Sequence, residues 1–518
     1  MNVALIKALA MGEVRLRLRR TSTLVALLAV VALSWLMIAD PANGSALIVV
    51  KDARVLYTST ALAVGSASLG CILFGLGGFY LVRGRMAEDI RSGAGGVIGA
   101  TPVGNVQFLL GRWLGAAAYL SAMVLAFMLT IMVLHAVRGE GAIQPHLYLM
   151  NYALILLPLV LYTVSLAILF DSWSPLMGKG GDVLFFFLWV AQLGIVGANA
   201  EKGLVPMVEL FDFNGLGASM LAVTGALGHA SVALGDGDFN AALAPIRMTD
   251  NLWTRDLVLL RGASCLLGML PLLAAFGLFH RFSPDKVKVS KASKRRSPLA
   301  VINTMFKPLA RFAAPLFLLA ARIGGMPGQV LGDVALTLAA APFAILALAG
   351  SALASLLVPH AALAPMILGA VVFWGVLVSD LSTRDYSADT EAIGAAVHGG
   401  SVARFLRQYA ATVMLGLMFT GVAAVRYGLA EPVRALALLT GVFSLAALAS
   451  AFGRCSRSAR LFLALFLFWV YVSINGGKVP MLDAVGFLGI ANLKTMSVWL
   501  GAGAIALATG FLWNRRPD

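Results

Sequence analysis

Apolar runs, each about as long as a membrane crossing, alternate with short polar stretches along the whole 518-residue chain. A helix needs roughly 20 apolar residues to traverse bilayer hydrocarbon. That length predicts six crossings near 21–38, 57–81, 113–134, 147–170, 182–198 and 257–279. Six more are predicted near 337–356, 361–379, 408–425, 434–452, 461–474 and 496–513. Twelve crossings put both termini on one side, and the basic residues choose it. With the N-terminus inside, the inner stretches hold 28 of the 39 Lys and Arg and the outer stretches 10, as the enrichment of basic residues in cytoplasmic loops requires.

One further apolar stretch, GLGASMLAVTGALGHASVAL at Gly215–Leu234, is long enough to cross and would invert everything after it. Its flanks carry Asp212, Asp236 and Asp238 rather than basic residues, so the expectation is an outer or re-entrant hairpin. The polar, proline-punctuated stretch Arg281–Arg311 reads as a cytoplasmic linker between a first unit, 1–280, and a second, 312–518. Its charge suits a tether attracted to anionic lipid. The halves are alike in layout, the second with its own outer segment at Gly476–Lys494. Sliding the first inner loop by 296 positions sets Asp89 on Asp385, Val97 on Ile393, Gly104 on Gly400, Leu110 on Leu406 and Trp113 on Tyr409. A parallel duplication is one of the known transporter layouts.

Composition sharpens this. The chain is 60% hydrophobic and 12% charged, with mean hydropathy +0.89, against about a quarter charged for soluble domains. The fold class expected is all-α integral membrane. The net charge of +15 raises nucleic acid as a partner, but the basic residues lie between crossings and form no stripe with interleaved aromatics. Cys71, Cys265 and Cys455 are far apart and offer neither a disulfide framework nor zinc spacing. No P-loop, HExxH or GxSxG pattern occurs. The crossings are nearly free of ionisable groups, so no carboxylate relay of the kind ion-driven carriers use is visible. Arg261, one turn inside the sixth crossing, is expected to snorkel to the headgroups or to contact substrate.

A chain without an ATP site and without membrane carboxylates can be driven by a separate soluble ATPase acting on a short inner helix. Glu88–Gly99 suits that role. Its acids favour a helix N-terminus, its small residues admit another backbone, Pro102 interrupts the path into the third crossing, and Asn105 is placed to cap the next helix.

The stretch EDIRSGAGGVIGATPVGNVQFLLGRWLGA resembles the inner loop and third-helix start of ABC-2 type exporter permeases: a charged start, small residues, a Thr-Pro turn and a Leu-Leu-Gly approach. Thr383–Ala410 resembles the same element without the Thr-Pro turn. Glu13 ahead of RLRLRR resembles the family's interfacial elbow helix, and GQVLGDVALTL, with Asp333 in the place of Glu13, resembles a second copy.

The resemblance implies two six-helix permease units in one chain, each with an elbow helix, a coupling helix and a re-entrant hairpin. It places Glu88, Asp89, Ile90, Arg91, Thr101 and Pro102 at one ATPase-coupling helix, and Asp389, Thr390, Glu391 and Ile393 at the other. It implies a multi-pass protein of the bacterial inner membrane, partnered by lipid and two copies of a cytoplasmic ABC ATPase, with no nucleic acid. The chain itself is expected to bind no cofactor or metal and to do no covalent chemistry, ATP and Mg acting through the partner. A hydrophobic or amphipathic cargo is expected, with Phe185, Phe186, Phe187, Trp189, Gln192 and Arg261 as candidate path residues, although such aromatics also serve packing. The alternatives are a non-transporting membrane assembly subunit and a secondary carrier.

Overall fold

Apolar segments cannot leave backbone groups unpaired in lipid, and the computed structural model places helix on every one of the twelve runs. Residues 2–38, 40–201, 207–228, 232–282, 305–396, 399–475 and 479–515 are described. They divide into two compact units, Met1–Ser297 and Pro298–Asp518. Most of the expected linker, 283–304, lies outside the described residues, as do 229–231 of the first hairpin stretch and 476–478 of the second.

The first unit contains α1 (Val3–Leu18), α2 (Thr21–Met37), β1 (Ser45–Val50), β2 (Ala53–Arg54), α3 (Ser59–Val82), α4 (Arg85–Arg91), α5 (Ala94–Ala100) and α6 (Asn105–Arg138). It continues with α7 (Pro145–Ser172), α8 (Lys179–Glu201), α9 (Leu216–Ala226), β3 (Val232–Asp238), α10 (Arg255–Gly268) and α11 (Leu270–Leu278). The second unit contains α12 (Ala314–Ile323), α13 (Gly325–Ala340), α14 (Phe343–Leu357), α15 (Leu363–Val378), α16 (Arg384–Ser387) and α17 (Glu391–Ala396). Its last four helices are α18 (Gly400–Ala430), α19 (Pro432–Ser456), α20 (Ala459–Asn475) and α21 (Leu493–Trp513). Among the described residues, nine helical spans are long and apolar enough to cross a membrane, and α13 with α14 makes a tenth if that pair is one span. The runs at 21–38 and 461–474 form shorter helices of 17 residues each.

Two expectations about the architecture are corrected. The crossing expected at 337–356 is not straight: α13 and α14 meet at 104°. The cause is Pro342, which lacks an N–H and drives its predecessor out of the helical region; Ala341 sits at φ −126°, ψ 74°. The fold is also not purely α. A three-stranded antiparallel sheet, ordered β2-β1-β3, joins the segment after α2 to the one after α9. Its Lys51-Asp52 turn has positive φ at both residues (48° and 63°), geometry usually signalled by Asn or Gly. Among the described residues of Gly215–Leu234 the helix is short: α9 stops at Ala226, and Val232 pairs with Val50.

The core of the first unit is built around α3, which packs against α6 and α7. Close approach sets where α1 lies. Gly111 and Gly115 on α6 form a small-xxx-small seat; a Cβ at Gly111 would lie 2.5 Å from Leu9 Cβ, and one at Gly115 would lie 2.7 Å from the Ala10 carbonyl oxygen. In the second unit α13 lies on α18, where Arg407 reaches Asp333 at 2.7 Å. Trp374 of α15 is fully buried and donates to the Thr412 carbonyl at 3.0 Å.

Candidate functional site

The loop after α3 is two short helices rather than the one helix expected over Glu88–Gly99. α4 closes at Arg91, Gly93 turns the chain at φ 75°, and α5 begins at Ala94. A left-handed residue breaks the hydrogen-bond ladder, and glycine adopts it at no steric cost. Thr101 is extended (φ −77°, ψ 155°), as a residue before proline must be, so α5 ends before Pro102. Asn105 does not cap α6: it is the helix's first residue, Gly104 is the N-cap, and the Asn105 side-chain oxygen has no hydrogen-bond partner.

α4 is anchored by charge. Asp89 is 2% exposed, paired with Arg112 of α6 and lying 3.3 Å from Arg85. Glu88 binds Arg20 and, at 2.9 Å, Arg85. Glu13 on α1 holds Arg17 at 2.7 Å, and Arg17 donates to the carbonyls of Leu81 (3.0 Å) and Val82 (2.9 Å) at the end of α3. Cations belong at a helix C-terminus, where carbonyls lack intrahelical partners. The network thus ties α1, the end of α3, α4 and α6 into one body. Ile90 is half-buried and Arg91 exposed.

α5 sits on that body by its other face. Gly95 packs under Phe282, where a Cβ would lie 2.7 Å from the ring, and Arg281 donates to the Thr101 carbonyl at 2.8 Å. Thr101 turns its hydroxyl onto the Ile98 carbonyl at 2.6 Å, and Pro102 is exposed. The residue pointing away is Val97, 71% exposed.

The second unit repeats the plan with the same 296-residue offset. Asp389 occupies the position of Gly93 and also has positive φ, 54°, separating α16 from α17. Asp385, the counterpart of Asp89, is buried and accepts from Gln408, the counterpart of Arg112, at 3.0 Å; Arg404 supplies the paired cation. Ile393, the counterpart of Val97, is 67% exposed. Glu391 is half-buried and held by Arg454 at 2.9 Å and Arg457 at 3.3 Å. Thr390 turns back onto the Asp385 carbonyl through its amide (2.9 Å), and Asp389 is exposed. Of the residues expected at the two coupling helices, Asp89 and Glu391 therefore hold their own helices in place. In the sequence Val97 stands out only as the partner of Ile393; exposure singles it out.

The candidate path residues on α8 pack into the first unit. Phe185 stacks on Phe79 with ring centres 3.5 Å apart, Phe186 lies against Trp189 at 6.0 Å, and both Phe185 and Trp189 are buried. Gln192 is half-buried and Phe187 is 60% exposed. Trp189 and Gln192 line a crevice with Gly75, Tyr162, Thr163 and Asn214 that closes too tightly to hold a water molecule.

Arg261 does not snorkel. It is 1% exposed and donates to the carbonyls of Leu154 (2.8 Å), Asp212 (2.6 Å) and Ile155 (3.2 Å). Leu154 is four residues before Pro158 inside α7, so its carbonyl has lost its helical donor; Arg261 replaces it. The cation is the glue between α10, α7 and the turn before α9.

Among the described residues, no group of three or more His, Cys, Asp or Glu is placed to hold a metal ion. No protein-family model matches the chain, and no curated protein matches it.

Proposed function

We propose that the chain is the membrane permease of an ATP-driven exporter, resembling the ABC-2 type, with soluble ATPase partners docking on α5 and α17. The observation that carries the reading is the matched pair Val97 and Ile393. Each is a large apolar side chain held out on a short helix, and each helix stands behind a left-handed residue and a buried aspartate anchor. An exposed apolar side chain on an anchored tip offers a partner's groove apolar area to bury, and the internal ion network lets force on the tip reach α1, α3 and α6 rather than dissipate in a loose loop. In this reading all twelve apolar runs cross the bacterial inner membrane, both termini are cytoplasmic, α1 and α13 are the interfacial elbows, and α9 belongs to an outer re-entrant hairpin. ATP and Mg act in the partner, whose cycle drives a hydrophobic or amphipathic cargo outward.

The test is co-purification in mild detergent of the tagged chain with Val97→Asp, Ile393→Asp or both. These positions are exposed, so the substitutions should leave the fold unaffected. A soluble P-loop ATPase should accompany the parent chain and be lost stepwise in the single and double variants. Retention of the ATPase by the double variant, or no ATPase with the parent, rejects the reading.

A further inference from the structure

The turn after α8 holds a buried cluster of charged groups that the proposed function does not use. Glu209, in the 3-10 turn Val208–Phe211, is 1% exposed. One carboxyl oxygen accepts from the Asn199 side chain of α8, while the other, Oε2, has no hydrogen-bond donor. Three residues on, Asp212 is also buried and accepts from the amides of Gly215 (2.9 Å), Gly217 (2.9 Å) and Ala218 (3.1 Å), which seats the start of α9. Gly217 lies over the Glu209 carboxyl so closely that a Cβ there would overlap it.

Two carboxylates in one buried site cannot both ionise without large cost, and a proton on the donorless Glu209 oxygen turns their repulsion into a hydrogen bond. The other charged or titratable groups that reach the pair are Arg261 on α10, which acts on Glu209 and Asp212, and Cys71 on α3, which acts on Asp212; Cys265 on α10 reaches Arg261. Arg261 opposes the effect, but its guanidinium is committed to three backbone carbonyls. The corresponding turn of the second unit lacks the partner carboxyl. There Asp483 accepts from the amides of Leu488, Ile490 and Ala491, each at 3.1 Å, and Pro480 stands three residues before it.

We propose that Glu209 and Asp212 form a proton-binding site, without counterpart at Asp483, whose proton latches the turn and α9 onto α8 and α10 and whose loss frees them. Burial, and then the charge of Asp212, push the Glu209 carboxyl up from the ordinary 4.5 to about 7. A carboxyl raised in the seated form and ordinary in the open form gives a latch at full strength below pH 4.5. It weakens as pH rises towards about 7 and levels off above that.

The experiment is hydrogen exchange on the full chain in lipid nanodiscs, following residues 207–226 and correcting for the intrinsic pH dependence of exchange. Opening should increase by roughly ten- to a hundredfold between about pH 5 and pH 7.5 and then plateau. Glu209→Gln, which keeps a donor at every pH, should remove the dependence. A flat parent profile, or a Glu209→Gln profile parallel to it, overturns the proposal. Infrared titration keeps the test decisive if that variant fails to fold. The parent should show a protonated carboxyl band that disappears near neutral pH, and Asn199→Ala, which deletes a donor to the ionised form, should shift its midpoint upward. Absence of the band, or an unmoved midpoint, overturns it equally.

Discussion

Replacing Asp89 with alanine tests whether α4 is held by its ion pair. The change strands the Arg112 guanidinium, whose side chain is 7% exposed, with the Phe108 ring at 4.6 Å as its remaining neighbour of opposite polarity. Deleting one member of a buried pair costs about 3–5 kcal/mol, because the other is left charged and unsolvated. With a factor of ten for each ~1.4 kcal/mol, local opening of α4 should rise roughly two to three and a half orders of magnitude. Arg112→Gln should cost far less, about 1–2 kcal/mol. It reproduces the Asp385–Gln408 arrangement of the second unit, and Arg85 still lies 3.3 Å from Asp89. The double variant Asp89→Ala/Arg112→Met should be milder than Asp89→Ala alone, since no buried charge is then stranded. Limited trypsinolysis after the exposed Arg91, under conditions where cleavage reports the open population, gives the ranking. If Asp89→Ala and Arg112→Gln behave alike, or the double variant is the worst of the three, the anchor is not electrostatic and the reasoning fails.

Three further outcomes follow from the packing. Gly115→Leu should unseat α1, since even a Cβ meets the Ala10 carbonyl oxygen at 2.7 Å; overpacking of about 1–3 kcal/mol should appear as a labelling increase at a cysteine placed on the buried face of α1, and unchanged labelling would refute the seat. The Arg54–Glu140 pair, bonded at 2.9 and 2.8 Å, holds the Glu140 carboxyl below its ordinary 4.5 through the Arg54 hydrogen bond. Its contribution is therefore complete above pH 4.5 and lost as pH falls through that depressed value, so exchange at residues 53–57 should accelerate in acid in the parent but not in Glu140→Gln. Asp483→Ala removes the buried acceptor shared by three half-buried amides and should destabilise the second unit by about 1–3 kcal/mol; Asp483→Asn, which keeps one oxygen, should cost clearly less in thermal unfolding, and equal losses would refute the capping role.

The apolar runs were legible because length and hydropathy are local properties, and helix occupies each of them. The internal repeat was legible for the same reason at Asp89 and Asp385, whose matched positions proved to be matched anchors. Other features depend on partners distant in sequence. β1 reads as a short apolar run, SALIVV, and becomes a strand because β3, some 180 residues later, pairs with it. Arg261 reads as a stray charge until Pro158 in another helix is seen to free the Leu154 carbonyl. The signal was present, since a proline inside an apolar run always orphans a carbonyl, but nothing local names the donor. Pro342 was a legible breaker inside the run at 337–356, and the bend follows from it. Exposure of Val97 was not legible at all, because a valine among small residues suits a buried face equally well.

The most direct test of the central claim is site-specific photocrosslinking in native membranes, with the reactive residue placed at Val97 in one chain and at Ile393 in another. The account predicts that both capture a soluble P-loop ATPase, while the same probe at the buried Phe185 captures none. Capture of lipid alone or of a protein without a P-loop at both positions would contradict it.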